Sequence, residues 1–188
     1  MGGKRRNALI GPAIGIRSLA ASDADAFAAA FAEMGWRKPA AQFERYHREQ
    51  EVGRRSVLVA EWEGEVAGYL TILWESPDPV FRSRGIPEIN DFNVLLRYRR
   101  RGIGKALMDA AEAVIAERSP VVGLSVGLHR GYGSAQRLYV RRGYVPDGAG
   151  VVVDGESVPE GAAIELDDGP VLRMTKELES QERGRPSD

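Results

Sequence analysis

Arg97-Tyr98-Arg99-Arg100-Arg101-Gly102-Ile103-Gly104-Lys105 is the stretch that decides how this 188-residue chain folds. Before it, Glu88 to Leu95 reads as a strand. After it, Gly102 to Arg118 reads as a helix, with Ile103, Ala106, Leu107, Ala110 and Val114 on one stripe. Positive side chains at a helix start oppose the macrodipole. A bound anion reverses that balance. Free N–H groups, two glycines that permit close approach and flanking cations together make a pyrophosphate site. A P-loop needs Ser or Thr after Gly104-Lys105, and Ala106 stands there. The dinucleotide fingerprint needs a third glycine near Leu107, and none is present. A nucleic-acid-binding arginine run lacks an aromatic platform and a second basic cluster. The remaining alternative is a solvated basic loop capping a helix, and the strand–turn–helix setting weighs against it.

Working outward, Ile14 to Leu19 reads as a strand. Ser22-Asp23-Ala24-Asp25 reads as an N-cap with an acidic first turn, and a helix follows through Phe27, Ala30 and Phe31. Pro39 opens a second helix with Phe43, Tyr46 and Gln50 on one side. Ser56 to Trp62 and Glu65 to Trp74 are strands joined by Glu63-Gly64. Glu75 to Pro87 reads as a long loop, too polar for core. Val121 to Val126 is a strand, and Gly133 to Arg142 a helix ended by Gly143. Further strands are expected at Val151 to Val153 and Val171 to Lys176. This order predicts an α/β chain of the α+β kind, one central mixed sheet flanked by helices on both faces. One domain is expected over 11–178, between a flexible basic tail at 1–10 and a loose polar tail at 179–188.

Composition removes several function classes. The formal net charge of -1 exerts no global pull toward nucleic acid or anionic membrane. Without cysteine there is no disulfide, thiolate catalysis or Cys-built zinc site. His47 and His129 lie far apart, so no metal is expected and both are read as surface or structural residues. Arg6 stands where a myristoylation signal needs Ser or Thr. Arg5-Arg6 suggests a twin-arginine signal, but the apolar run after it is broken by Gly11, Pro12 and Arg17. No apolar stretch is long enough to span a bilayer. The expectation is a cytoplasmic protein that binds neither membrane nor nucleic acid.

Arg99-x-x-Gly102-x-Gly104 resembles the Gln/Arg-x-x-Gly-x-Gly/Ala signature of the Gcn5-related N-acetyltransferases (GNAT). Ala135-Gln136-Arg137-Leu138-Tyr139-Val140-Arg141-Arg142-Gly143-Tyr144 is similar to that family's Ala-x-x-Leu-Tyr-x-x-x-Gly-Phe segment. The resemblance runs from about Ile14 to Leu178. It departs at Tyr132, where many members carry a coenzyme A-binding Asn. It implies the GNAT fold and an enzyme moving an acetyl group from acetyl-CoA, as co-substrate, to a primary amine. A non-catalytic acyl-CoA-binding regulatory module is the alternative use of the same fold. The acceptor would be a small-molecule or peptide amine, and homodimers are common in the family.

Acyl transfer to an amine must remove a proton from the amine, stabilise the carbonyl oxygen and favour departure of the thiolate. The resemblance implies Tyr139 as the acid for the thiolate; periodicity alone would make it a core residue. Glu88-Ile89-Asn90-Asp91-Phe92-Asn93-Val94 is polar for a central strand, and buried carboxylates need partners or a task. Alternation puts Glu88, Asn90, Phe92 and Val94 on one face and Ile89, Asp91, Asn93 and Leu95 on the other. The resemblance favours Glu88 as base, directly or through water, because it lies six residues before Val94 as the glutamate base of some histone-acetylating members does; Asp91 is second, and the alternative is a carboxylate at the strand's solvent end or paired with an arginine. The resemblance implies that backbone of Asn93, Val94 and Leu95 holds the carbonyl and pantetheine arm. Arg99, Arg100, Arg101, Gly102, Ile103, Gly104 and Lys105 would hold the pyrophosphate. Ser134 would add a cofactor contact, and Arg142 would reach the nucleotide phosphate. The acceptor pocket would lie under the Glu75 to Pro87 loop and the two N-terminal helices.

Overall fold

The computed structural model describes residues 14–179. The expected tails, 1–10 and all but Glu179 of 179–188, lie outside the described residues, as does the Arg5-Arg6 segment. The strands are β1 (Ile14–Ser18), β2 (Arg55–Trp62), β3 (Glu65–Leu73), β4 (Glu88–Val94), β5 (Val121–Gly127), β6 (Val145–Val153), β7 (Glu156–Ser157) and β8 (Val171–Glu177). The helices are α1 (Asp23–Glu33), α2 (Ala40–Glu51), α3 (Pro79–Ser83), α4 (Ile103–Ala116) and α5 (Gly133–Arg141). The sheet runs β1-β2-β3-β4-β5-β8-β6-β7 and is antiparallel except where β4 meets β5. The mixed sheet with flanking helices is as the sequence predicts.

Each face carries its own apolar layer. Leu58, Leu70, Ile72, Ile89, Val122 and Leu124 pack with Ile103, Leu107, Met108, Ala111 and Ile115 of α4. Val57, Val59, Val66, Tyr69 and Leu95 pack on the other side with Phe27 and Phe31 of α1 and Phe43 of α2. Those three rings stack on one another and meet Tyr69 edge-on at 5.2–6.0 Å between centroids.

Several local expectations are corrected. Ser22 makes no capping hydrogen bond. Asp23 turns back from the helix start instead: its Oδ2 accepts from Ala20 N at 2.8 Å and from Arg17 at 2.6 Å. Pro39 sits one position outside α2, with extended backbone. The expected Glu75 to Pro87 loop contains α3, because Asp78 caps the amides of Val80 and Phe81 and Pro79 starts the turn. Nor is that segment wholly polar, since Phe81 is fully buried. Its ring closes over Gly123, where an added Cβ would meet it at 2.8 Å. The strand expected at Val151 to Val153 begins at Val145, bending where its register against β8 slips between Pro146 and Val151. The two-residue β7 was not expected.

Two irregularities in β4 make the site. First, β4 carries one extra residue against β3: Tyr69 faces Asn93 while Thr71 faces Asn90. Asp91 takes the strain at φ 45°. The bulge overturns simple alternation beyond Asn90. Asn93 pairs with Tyr69 and so joins Glu88 and Asn90 on the α1–α2 face. Phe92 and Val94 turn to α4, lying 3.3 and 3.7 Å from where a Cβ on Gly104 would be. Second, β4 and β5 pair only at Glu88–Gly123 and Ile89–Leu124. Beyond Ile89 the two parallel strands separate, leaving a wedge whose open end faces the start of α4.

Candidate functional site

The turn at the open end has the features of an anion cradle. Gly102, at φ 86°, is the N-cap of α4, and no side chain caps that helix. Arg100 also takes a left-handed backbone, φ 64°. Among the described residues, the amides of Arg100 through Lys105 donate to no acceptor. A helix start with its amides free and arginines around it fits a diphosphate. The side chains are spread by different anchors. Arg99 Nε donates to Val94 O at 3.1 Å, Arg101 stacks over Trp62 at 4.9 Å, and Lys105 pairs with Asp109 at 2.6 Å. Gly104 also lets α4 close onto Phe92, whose ring lies 3.3 Å from where a Cβ would be.

Leu95 N donates to Ala67 O on β3 at 2.9 Å, so its amide is taken. By strand alternation the N–H of Val94 then points to the wedge, as its carbonyl does toward Arg99. The backbone group offered to a ligand is therefore that of Val94, since the Leu95 carbonyl is also taken, accepting from Tyr98 N at 2.9 Å.

Asp91 is the most connected side chain. Its Oδ1 accepts from Lys38 Nζ (2.5 Å) and Asn93 Nδ2 (2.8 Å). Its Oδ2 accepts from Gln42 Nε2 (2.9 Å), Tyr46 Oη (2.9 Å) and Tyr69 Oη (2.7 Å). A carboxylate offers about four lone-pair positions, so all are filled and none is left for a base to use. Of the two carboxylates favoured from sequence, Asp91 is an anchor. The donors were invisible in sequence, except that Gln42 and Tyr46 are one helical turn apart.

Glu88 lies at the closed end of the wedge and is 5% exposed. Ser76 Oγ donates to its Oε2 at 2.5 Å. Burial pushes its pKa up, the Ser76 bond draws it back, and the charge of Asp78 adds to the rise. Near it, Arg55 donates to Thr71 Oγ1 at 2.7 Å and stacks on Tyr46 at 4.2 Å. Arg173, Asp78 and Asp147 form an ion cluster under α3. Arg173 Nη1 is 3.2 Å from Asp78, and its Nε is 2.9 Å from Asp147, though off the line of a hydrogen bond.

On α5, Tyr139 is 7% exposed and belongs to the apolar layer on the α4 side, its ring 5.8 Å from that of Tyr144. Burial, then the neighbouring Tyr132, hold its pKa well above the usual phenol value, so it stays protonated and able to donate. Tyr132 is pushed up to about 12 by burial and by its hydrogen bond to Asp168, with a smaller push from the charge of Asp91. Asp168, in the segment between β7 and β8, also contacts His129 Nε2 at 2.9 Å, while His129 Nδ1 accepts from Gly131 N. His129 thus ties a turn, and His47 lies 3.7 Å from Glu51 on the same helix. Ser134 sits in the first turn of α5. Arg142 is committed elsewhere. It forks onto Glu112 at 2.9 Å through two nitrogens and reaches Asp109 at 2.8 Å, joining α5 to α4. Among the described residues no His, Cys, Asp and Glu group is arranged to hold a metal, and no helix is long and apolar enough to cross a membrane.

A family model described as the Acetyltransferase (GNAT) family matches residues 22–144. No curated protein sequence matches the chain. Among solved structures, the fold is similar to that of an N-acetyltransferase from Staphylococcus aureus, at TM-score 0.66 and 14% identity over 89% of this chain and 99% of that one. It is similar to a ribosomal-protein-alanine N-acetyltransferase from Brucella melitensis, at 0.64 and 20% over 87% and 99%. A Vibrio cholerae spermidine N-acetyltransferase chimera matches at 0.62 and 16% over 88% and 95%. At such identities these likenesses speak to fold alone.

Proposed function

Because the chain belongs to the GNAT acetyltransferase family, we propose that it is an acetyl-CoA-dependent N-acetyltransferase acting on a primary amine. The observation that carries this reading is the wedge between β4 and β5, opening directly onto the uncapped start of α4. The residues fit the co-substrate. Free amides from Arg100 to Lys105, with Arg99, suit a diphosphate, and the Val94 backbone suits an extended amide-bearing arm. Bound there, acetyl-CoA would supply an activated thioester carbonyl.

The chain's own groups then divide the work. Val94 N–H donates to the carbonyl oxygen as its negative charge grows. Glu88 accepts the proton of the amine, directly or through water, its raised pKa bringing it closer to the amine's. Tyr139 donates its phenolic proton to the departing sulfur. Asp91 holds the bulge and the amine side of the cleft. Arg142 keeps α5, and with it Tyr139, in place against α4.

The direct test is free-thiol release from acetyl-CoA on an amine panel, for wild type and Tyr139→Phe. A loss of kcat of about 100-fold with acetyl-CoA binding unchanged is expected. Unchanged kcat removes the acid role of Tyr139. Tight acetyl-CoA binding with no turnover on any amine replaces the enzyme reading with that of a binding module.

A further inference from the structure

Lys38 stands in a cage built for a cation. It lies in the connection between α1 and α2, and its Nζ sits 2.5 Å from Asp91 Oδ1. The same nitrogen is 5.6 Å from the centre of the Phe31 ring and 5.7 Å from that of Tyr69. A carboxylate beneath two aromatic faces holds an alkylammonium by charge, hydrogen bond and ring quadrupole together. The cage does not depend on Lys38 for its shape. Gln42, Tyr46, Tyr69 and Asn93 hold the carboxylate at 2.7–2.9 Å, and all four are neutral. They satisfy its oxygens and leave its charge to be answered by a cation. That cation arrives on a connection rather than on a strand or helix, so it leaves with little disruption of the sheet.

Position gives the cage its meaning. Asp91 is the bulge residue, three before Val94, on the strand that forms one wall of the wedge. The opposite wall is β5, where the Tyr132 ring covers Gly127. We propose that Lys38 is a tethered occupant of the acceptor subsite, and that the true acceptor is an unbranched primary alkylammonium that displaces Lys38 from Asp91. This rests on the N-acetyltransferase reading above. The occupant observed is an ammonium on an unbranched four-carbon stem, and the lysine and Asp91 side chains are only 19% and 15% exposed. A slim aliphatic amine follows the same path; an aromatic or branched amine has to part Phe31 from Tyr69. A tethered competitor lowers the apparent affinity of a free ligand by the fraction of time the site stands open.

The test is calorimetric binding of n-pentylamine and 1,5-diaminopentane to the full chain with coenzyme A present. Lys38→Met is expected to bind both about tenfold more tightly than wild type, the gain of a site otherwise open a tenth of the time. Adding Asp91→Asn to that variant abolishes the binding, and benzylamine gains nothing. Equal or weaker binding by Lys38→Met overturns the proposal and makes Lys38 a structural tie. Should Lys38→Met not fold, Lys38→Gln is judged by the same criteria, with far-UV circular dichroism checking the fold. Thiol release from acetyl-CoA is measured separately. Amine binding governed by Lys38 without thiol release keeps the subsite and sinks the transferase reading. Thiol release indifferent to Lys38 sinks the subsite alone.

Discussion

Tyr69 Oη donates to Asp91 Oδ2 at 2.7 Å, across the one place where β3 and β4 fall out of step. Tyr69 is fully buried among Phe27, Phe31 and Phe43, so its ring cannot move without moving the aromatic layer. Burial, and next the charge of Asp91, keep its hydroxyl protonated far beyond the usual phenol range. The hydroxyl is therefore a permanent donor. Through it the apolar layer under α1 and α2 fixes a strained residue, at φ 45°, in the middle of a central strand. The bulge is held by packing on one side and by hydrogen bonds on the other.

Gly68 is what allows β3 to approach that bulge. A Cβ there would lie 2.6 Å from Asn93 O and 3.1 Å from Val94 Cα, both backbone atoms that cannot swing aside. Gly68→Ala is expected to destabilise the fold by about 1–3 kcal/mol, as overpacking does, read from urea denaturation. Because the shift falls on Val94, acetyl-CoA binding should weaken as well. Full stability with unchanged binding would show that the bulge has slack.

The two glycines of the arginine turn should separate. Gly102 needs its left-handed φ of 86°, which costs an alanine about 1–2 kcal/mol. Gly102→Ala should raise the Kd for acetyl-CoA about tenfold, since that strain tilts the free amides. Gly104→Ala meets the Phe92 ring at 3.3 Å, tight enough to need a small adjustment. It should lower stability more than affinity. Equal effects of both on affinity would mean that a methyl at Gly104 disturbs the cradle as much as the strain at Gly102 does.

Glu88 sets a pH dependence. Burial raises its pKa above the ordinary 4.5 of glutamate, so a base at this position works only above that raised value. The acidic limb of kcat/KM should therefore lie above pH 4.5, and Glu88→Gln should abolish it along with most activity. Stability runs the opposite way. The folded chain binds this proton more tightly than the unfolded chain, so stability falls as pH rises through the folded pKa. Glu88→Gln should thus be as stable as wild type or more so at neutral pH, measured by thermal melts. A less stable variant would point to a structural carboxylate.

Arg173, 3% exposed, is the only guanidinium within reach of both Asp78 and Asp147 among the described residues. Arg173→Ala leaves two carboxylates buried without a countercharge, and about 3–5 kcal/mol of stability should be lost in urea denaturation. Since Asp78 also caps α3, the loss should appear as early hydrogen exchange at Val80 and Phe81.

Neighbouring residues carried the parts of this protein that the sequence determined. The arginine turn and the Glu63-Gly64 hairpin are each written in consecutive positions and form where expected, whereas the α4 stripe is shifted: Ile103 and Leu107 are buried as read, but Met108, Ala111 and Ile115 complete the buried face, with Ala110 and Val114 only partly covered at its edge. The capped start of α3 was written just as locally, in Asp78-Pro79, and was overlooked for the polarity around it. The amine side of the site is different. Lys38, Gln42, Tyr46 and Tyr69 reach Asp91 from 53, 49, 45 and 22 residues away. The bulge also reverses which face the later residues of β4 occupy, so alternation misassigned Asn93. Arg142 likewise looked free until Glu112 and Asp109 were placed beside it. Local spacing determines what a helix or turn can offer, because those groups are bonded neighbours. Which carboxylate is saturated and which is left to take a proton is decided only when distant donors arrive, since hydrogen bonding and desolvation depend on the surroundings and not on the order of the chain.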